Sequence, residues 1–410
     1  MRDAFDGFKS VVLPNGLALH AKRTSFPGVV INVVVHAGAR QDPSGKEGLA
    51  HLLEHCIAVE VEDRHNDWFD LSGGDWRAST GFLHTTYSFQ VPATKKLVQE
   101  ALVRLMDIVA APPSKAHVAK QKTIVGREFD KNWSHRCIVS PLLAHQKTYL
   151  GDHPSARFVD WLGTPETFRK ITYDDLVRFH QTYCTPFNMS VVAVGGMRFD
   201  TLVRIIENTS FGEGGGIKRP IWTPAPLPEV EANCHHTFHL STVFKEPPST
   251  ASFEAAVTLP IDIGWAAKKI FIRVFTDLVY EELRKERDLL YSVHIAYDEY
   301  GDIGVCKMRL KLPPDSLGDV GGILRVCVDQ CGNDRLLFDR AKSVIAARLP
   351  LDELDTDDVC RQVCDMLVEK GRITTYREIL QHLRDVLFED MQRIVSLWAS
   401  ERVATFVMRP

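Results

Sequence analysis

Three consecutive glycines, Gly214 to Gly216, are followed by Pro220, Pro224, Pro226 and Pro228, and this break limits what the chain can fold into. Glycine relaxes the backbone and proline stiffens it without offering an N–H, so such a run joins folded units and does not belong to one. On either side of it the signals come in the same order. Before the break, VVINVVVHAGAR reads as a buried strand ending in a glycine, and an apolar helix, GLAHLLEHCIA, follows. After it, SFEAAVTLP reads as a strand, a glycine follows, and the long helix WAAKKIFIRVFTDLVYEELRKERDLL begins. The repeated order predicts two similar halves of roughly 200 residues each. We therefore expect an α+β fold of two related α/β-layered domains, with residues 1–211 as the first, 212–232 as linker and 233–410 as the second.

The other elements are short and regular. SVVLPNGLALHAKR predicts a hairpin turning at Asn15 and Gly16, and DWRASTG and HTTYSFQVP a strand pair. TKKLVQEALVRLMDIVAAP, SKAHVAKQKTIVGREFDKN and TYDDLVRFHQTYC predict helices, NMSVVAVGG a strand, and YSVHIAYDEY and GVCKMRLKL two more strands in the second half. The segment after the histidines, CIAVEVEDRHNDW, reads as a loop.

Composition narrows the function. The chain has 410 residues, 45% hydrophobic and 25% charged, with a net charge of −4 and a pI near 6.5. No lysine or arginine run offers a surface to nucleic acid or to an anionic membrane, and neither is expected as a partner. No apolar stretch approaches the roughly 18 residues of a membrane span, and the start MRDAFDGFKS has no signal-peptide pattern, so a cytoplasmic protein is expected. The nine cysteines are odd in number and scattered, as in a reducing compartment. Cys327 with Cys331 and Cys360 with Cys364 are spaced to share helix faces, which allows a four-thiolate metal site; buried apolar thiols are the favoured reading. The acidic LDELDTDD reads as a solvated helix start in preference to a cation site.

Within the first apolar helix stand His51, Glu54 and His55. Positions i and i+4 lie about 40° apart around a helix, so both imidazoles project side by side with Glu54 on the same flank. Burying three ionisable groups without a partner is costly, and one metal ion offsets the cost. Zinc takes imidazole nitrogens, commonly has three protein ligands in a catalytic site, and lowers the pKa of a bound water toward about 7. Glu54 then suits a general base that takes the proton as water attacks an amide carbonyl, so the pattern predicts hydrolysis. The helix SKAHVAKQKTIVGREFDKN offers a third ligand in Glu128, which falls on the inward stripe of Val118, Gln121 and Val125. A partly exposed glutamate paired with a neighbouring basic residue is the alternative there.

GARQDPSGKEGLAHLLEH, GGDWRASTGFLHTTYSF and VGREFDKN, in that order, resemble the signatures of the pitrilysin-like inverzincin metallopeptidases, which include insulin-degrading enzyme and the mitochondrial processing peptidase. The resemblance implies one Zn2+ per chain on His51, His55 and Glu128, with Glu54 as base. LRKERDLLYSV is similar to a further family segment, which implies that Arg284 and Tyr291 bind substrate and stabilise the tetrahedral oxyanion. It also implies that the strand with Arg77, Ala78, Ser79 and Thr80 is an edge on which an extended peptide is laid. Two positions depart from the family pattern: Arg77 stands where asparagine is usual, and Gln121, a neighbour of the ligands, where glutamate is usual. Both bear on substrate preference and efficiency.

Family members of this length resemble half of a closed chamber and associate as dimers. The resemblance thus implies a homodimer, or a heterodimer with a related peptidase-like subunit, acting as a zinc endopeptidase on peptides or unfolded segments, and a dedicated peptide-maturation protease is one form of this. The alternative is a non-catalytic or weakly active peptide-binding subunit of a heterodimeric peptidase. The ligand set also admits manganese or cobalt.

Overall fold

The computed structural model describes residues 3–131, 133–158, 161–209, 218, 221, 223–230, 232, 234–242, 245, 247–349 and 354–410. Of the expected linker, 212–232, residues 218, 221, 223–230 and 232 are described and carry no helix or strand; the rest lie outside the described residues. The first half runs β1 (Lys9–Val12), β2 (Ala18–Arg23), β3 (Gly28–Val35), α1 (Leu49–Ser72), β4 (Asp75–Thr80), β5 (Thr85–Pro92), α2 (Lys95–Ala110), α3 (Lys115–Lys131), α4 (Trp133–Leu150), α5 (Pro165–Arg169), α6 (Tyr173–Tyr183), β6 (Met189–Gly195) and α7 (Phe199–Glu207). The second half runs β7 (His235–His239), β8 (Ala251–Pro260), α8 (Trp265–Tyr280), β9 (Ser292–Glu299), β10 (Ile303–Leu312), α9 (Leu317–Asn333), α10 (Arg335–Arg348), α11 (Thr356–Lys370), α12 (Tyr376–Asp385), α13 (Phe388–Trp398) and β11 (Ala404–Arg409).

Each half forms one mixed sheet. The first has the order β1-β2-β6-β3-β5-β4 and the second β7-β11-β8-β10-β9. β2 lies parallel to β6 as β7 does to β11, while β3 and β8 are each antiparallel to both neighbours. The second sheet thus repeats the first without β1, and β4 and β9 occupy equivalent edges. This is the α+β architecture of two related layered units that the sequence leads one to expect.

Two expectations need correction. CIAVEVEDRHNDW is not a loop: α1 continues through it to Ser72, and Cys56, Ile57, Val59, Val61 and Phe69 are buried along it, so that its first half is covered all round. In the second half the long helix is regular only to Tyr280; Glu281–Lys285 form a π-helical turn that widens the backbone before β9.

α11 decides how the halves meet. It leaves the second half and packs on the face of the first sheet opposite α1, placing Val359, Val363 and Leu367 against Val30, Val34, Val192 and Val194. β3 is consequently buried at all eight positions, which explains its nearly unbroken valine run. Cys360 and Cys364 lie in this contact and Cys327 and Cys331 in the separate core of the second half, all four as buried free thiols, so the two pairs do not share a site. Asp355 caps α11 by accepting from the Asp358 N–H at 2.7 Å, so that part of the acidic stretch starts a helix. Among the described residues no helix is long and apolar enough to cross a membrane.

Candidate active site

The site begins where α1 begins. Gly48 has φ of +98°, and a Cβ there would lie 2.3 Å from the Leu162 carbonyl oxygen, so only glycine fits this turn. The N–H groups of the helix start, which have no partner within the helix, go to Asp42: Oδ2 accepts from Gly48 and Leu49 at 2.7 and 3.1 Å, and Oδ1 accepts from Ala50 at 2.8 Å. Arg157 holds this turn by donating to the Asp42 carbonyl oxygen at 2.6 Å and approaching Glu47 to 3.2 Å. Burial pushes the Asp42 carboxyl up to about 8, with the three N–H donors and Arg157 acting against that shift.

One turn further, His51 and His55 direct their Nε2 atoms to the same point, 3.2 Å apart. α3 packs along α1 and brings Glu128 Oε1 to 3.5 Å from His55 Nε2. His117, near the start of α3, braces the pair of helices through Glu60 (2.7 Å) and Asp63 (3.3 Å), both on α1. The three ligand atoms all lie within 4.8 Å of one another. Tetrahedral zinc, with bonds of about 2.0–2.1 Å, spaces its ligands about 3.3 Å apart, so these residues fit the ion closely. No other group of three such residues gathers in this way among the described residues.

Glu54 is buried beside this group without belonging to it. Its Oε2 lies 4.0 Å from His51 Nε2 and accepts from the Thr80 hydroxyl at 3.3 Å. Burial pushes its carboxyl up to about 7; the Thr80 bond acts against this and the nearby Glu128 charge adds to it. Thr80 ends β4, which is the edge of the sheet, paired on one side only with β5. Along β4, Trp76 and Ala78 pack into the core below α1, while Arg77 and Ser79 are exposed on the other face. Arg77 forms an ion pair with Asp357 of α11, and so ties the edge strand to the second half. Gln121 is buried on α3 two turns before Glu128.

Arg284 and Tyr291 stand apart from this group. Arg284 sits on the π-helical turn, exposed and paired with Asp288. Tyr291, at the entry to β9, is 68% exposed, and its N–H donates to the Lys311 carbonyl at 2.9 Å. Neither is joined by a hydrogen bond or ion pair to His51, Glu54, His55 or Glu128. Asp42, Arg157 and His117 escape a reading of the sequence; the one available signal is the aspartate opening the turn DPSG ahead of Gly48.

Comparison with known proteins gives a consistent picture. Residues 19–156 match the family model described as insulinase (peptidase family M16), and residues 170–331 match the peptidase M16 inactive domain. An uncharacterized zinc protease of Mycobacterium tuberculosis is 23% identical over 96% of this chain and 94% of its own length. Another, of Rickettsia bellii, is 20% identical over 99% and 98%. The coenzyme PQQ synthesis protein F of Pseudomonas aeruginosa is 27% identical over 54% of this chain and 29% of its own. The fold is similar to a peptidase M16 inactive domain from Pseudomonas fluorescens, with a TM-score of 0.82 at 16% identity over 98% of both chains. It is also similar to a protease from Helicobacter pylori, with a TM-score of 0.80 at 17% identity over 98% of this chain and 99% of that one.

Proposed function

Because the chain belongs to the pitrilysin-like peptidase family M16, whose relatives are named zinc proteases, we propose that it is a zinc endopeptidase acting on peptides or unfolded segments. The observation that carries this reading is the convergence of His51, His55 and Glu128 at ligand spacing, with buried Glu54 beside them. Zinc held there supplies a Lewis acid that polarises a carbonyl and makes water acidic enough to be deprotonated near neutral pH. Glu54 takes the proton from the attacking water and passes it to the leaving amine, a role that suits a buried carboxyl beside the ligand group. Thr80 holds Glu54 in orientation. Because Thr80 belongs to the edge strand, a peptide paired with β4 is carried alongside the base.

The exposure of Arg284 and Tyr291 supports a division of labour between chains. They serve the metal centre of a second subunit, in a homodimer or with a related subunit, where a guanidinium and a phenol stabilise the oxyanion. One zinc per chain is expected from the single ligand group among the described residues.

The test is hydrolysis of a quenched peptide library by the purified chain, with and without a chelator, beside Glu54→Gln with its bound metal counted. Chelation should abolish cleavage and zinc restore it. Glu54→Gln should keep about one zinc and lose at least about a thousandfold in kcat. A metal-loaded wild type that cleaves nothing alone, yet cleaves when a related subunit is added, would move the reading to one member of a heterodimeric peptidase.

A further inference from the structure

β4 has a second face, and a cleft opens on it. α11 covers β3 and β6 and leaves the back of β5 and β4 uncovered, so a cavity of about 320 Å³ remains between this edge of the sheet and the helix. Ser79 and Ser88 line its floor and Asp365 of α11 its wall. Thr80 lines it too, which puts the cleft next to the residue that bonds Glu54.

With Asp358 at the rim, three aspartates and two arginines stand at the cleft. Asp357 is paired with Arg77, and Arg361 with Asp358. Asp365 forms no ion pair with a lysine or arginine among the described residues: the His84 imidazole lies 3.7 Å from it, and Arg361, one turn earlier on α11 and paired with Asp358, acts on it only as a nearby charge. Burial pulls His84 down to about 4, so that ring is neutral near pH 7, and pushes the Asp365 carboxyl up to about 6. Asp365 is thus the carboxylate lining the cleft that is not ion-paired to an arginine, and its half-exposed side chain can be reached from solvent. A second, independent feature points the same way. Asn32 on β3 is 3% exposed and lines the cleft. Its Nδ2 donates to Cys364 Sγ at 3.4 Å, while its Oδ1 is buried with no hydrogen-bond partner. An unpaired buried acceptor is costly, and a donor entering the cleft would satisfy it.

We propose that this cleft is a side-chain subsite of the peptide groove, and that it takes a basic side chain of the substrate, with Asp365 as counter-ion and Asn32 Oδ1 as the buried acceptor. A strand added to the edge of β4 continues the sheet, so its alternate side chains fall on the two faces as those of β4 do. Those on the side of Arg77 and Ser79 extend over the cleft. A lysine or arginine has the length to reach Asp365 and the donors to satisfy both acceptors. The subsite uses residues of both halves, so it exists only where α11 docks on the first sheet.

This inference rests on the peptide-binding reading of the same site, and its test does not require turnover. A lysine is walked through a neutral ten-residue peptide, against norleucine at each position, and binding to the zinc-loaded Glu54→Gln chain is read by fluorescence polarisation. At one position lysine should bind roughly fivefold tighter than norleucine. Asp365→Asn should bring that ratio to about one and Asp365→Glu should keep it; a variant that merely disturbs the fold would weaken both peptides alike. No discriminating position, a ratio that survives Asp365→Asn, or no binding by any peptide would overturn the subsite. Hydrolysis absent in the wild type with the binding ratio intact would overturn the peptidase reading alone.

Discussion

At the start of α1, one carboxylate stands in for the missing turn of a helix. Asp42 accepts three N–H groups that have no partner within the helix, and all four residues are buried. Asp42→Ala leaves those donors unsatisfied one to three residues before His51. We expect a loss of about 2–4 kcal/mol in unfolding free energy, read from urea denaturation, with a matching fall in zinc affinity read by competition with a chelator. Asp42 is hard to find in the sequence because its partners lie six to eight positions on and meet it only after the DPSG turn has closed. His51, Glu54 and His55 are easy to find, since their relation is set by the pitch of one helix. Glu128 is intermediate: its place on an inward stripe shows in the periodicity, but the 3.5 Å approach to His55 depends on how α3 packs. Arg77 and Gln121, which depart from the family pattern, have different fates in the structure. Arg77 spans to Asp357 of the other half, and Gln121 is buried on the ligand face of α3.

At the scale of elements, short-range patterning serves well for strands and less well for helix ends. β3 and β8 follow from apolar runs bounded by glycine or proline, and the hairpin of β1 and β2 from Asn15 and Gly16. The polar half of α1 is harder: EVEDRHND has the composition of a loop, and it is helical because Val61 and Phe69, two turns apart, reach one core. α11 matters most at this scale. Leu367, 1% exposed, sits against the first sheet. Leu367→Ala should cost about 2–5 kcal/mol and lower the midpoint of thermal unfolding monitored by circular dichroism, although the residue belongs by sequence to the other half. If the two halves were only tethered, the same substitution would leave the unfolding of the first half unchanged.

For the molecule as a whole, charged contacts between the halves add a dependence on pH. Glu254 of β8 is buried, 2.7 Å from Arg309 and 3.5 Å from His145 of α4 in the first half. Burial alone would raise its carboxyl, but the His145 imidazole and the Arg309 guanidinium carry it down to about 2. Between about pH 4.5 and 2 the unfolded chain therefore binds more protons at this group than the folded one, and stability falls as pH falls through that window. Above it, the contribution is fully present and of order 3 kcal/mol. Glu254→Gln should thus be less stable than the wild type at pH 6, and the difference should shrink toward pH 2 in denaturation curves taken across the range.

The sequence by itself determined the two halves, most strands, the helix that carries His51, Glu54 and His55, and the stripe that carries Glu128. These follow from periodicities of two and 3.6 residues and from glycine and proline, which act over a few positions. Only the tertiary structure decided that α11 crosses to the back of the first sheet, that Arg77 meets Asp357, that Asp365 and the unsatisfied Asn32 face one cleft, and that Arg284 and Tyr291 lie apart from His51, His55 and Glu128 of their own chain. Those relations join residues separated by up to hundreds of positions. They are set by which apolar faces close on one another, and no local pattern encodes that choice.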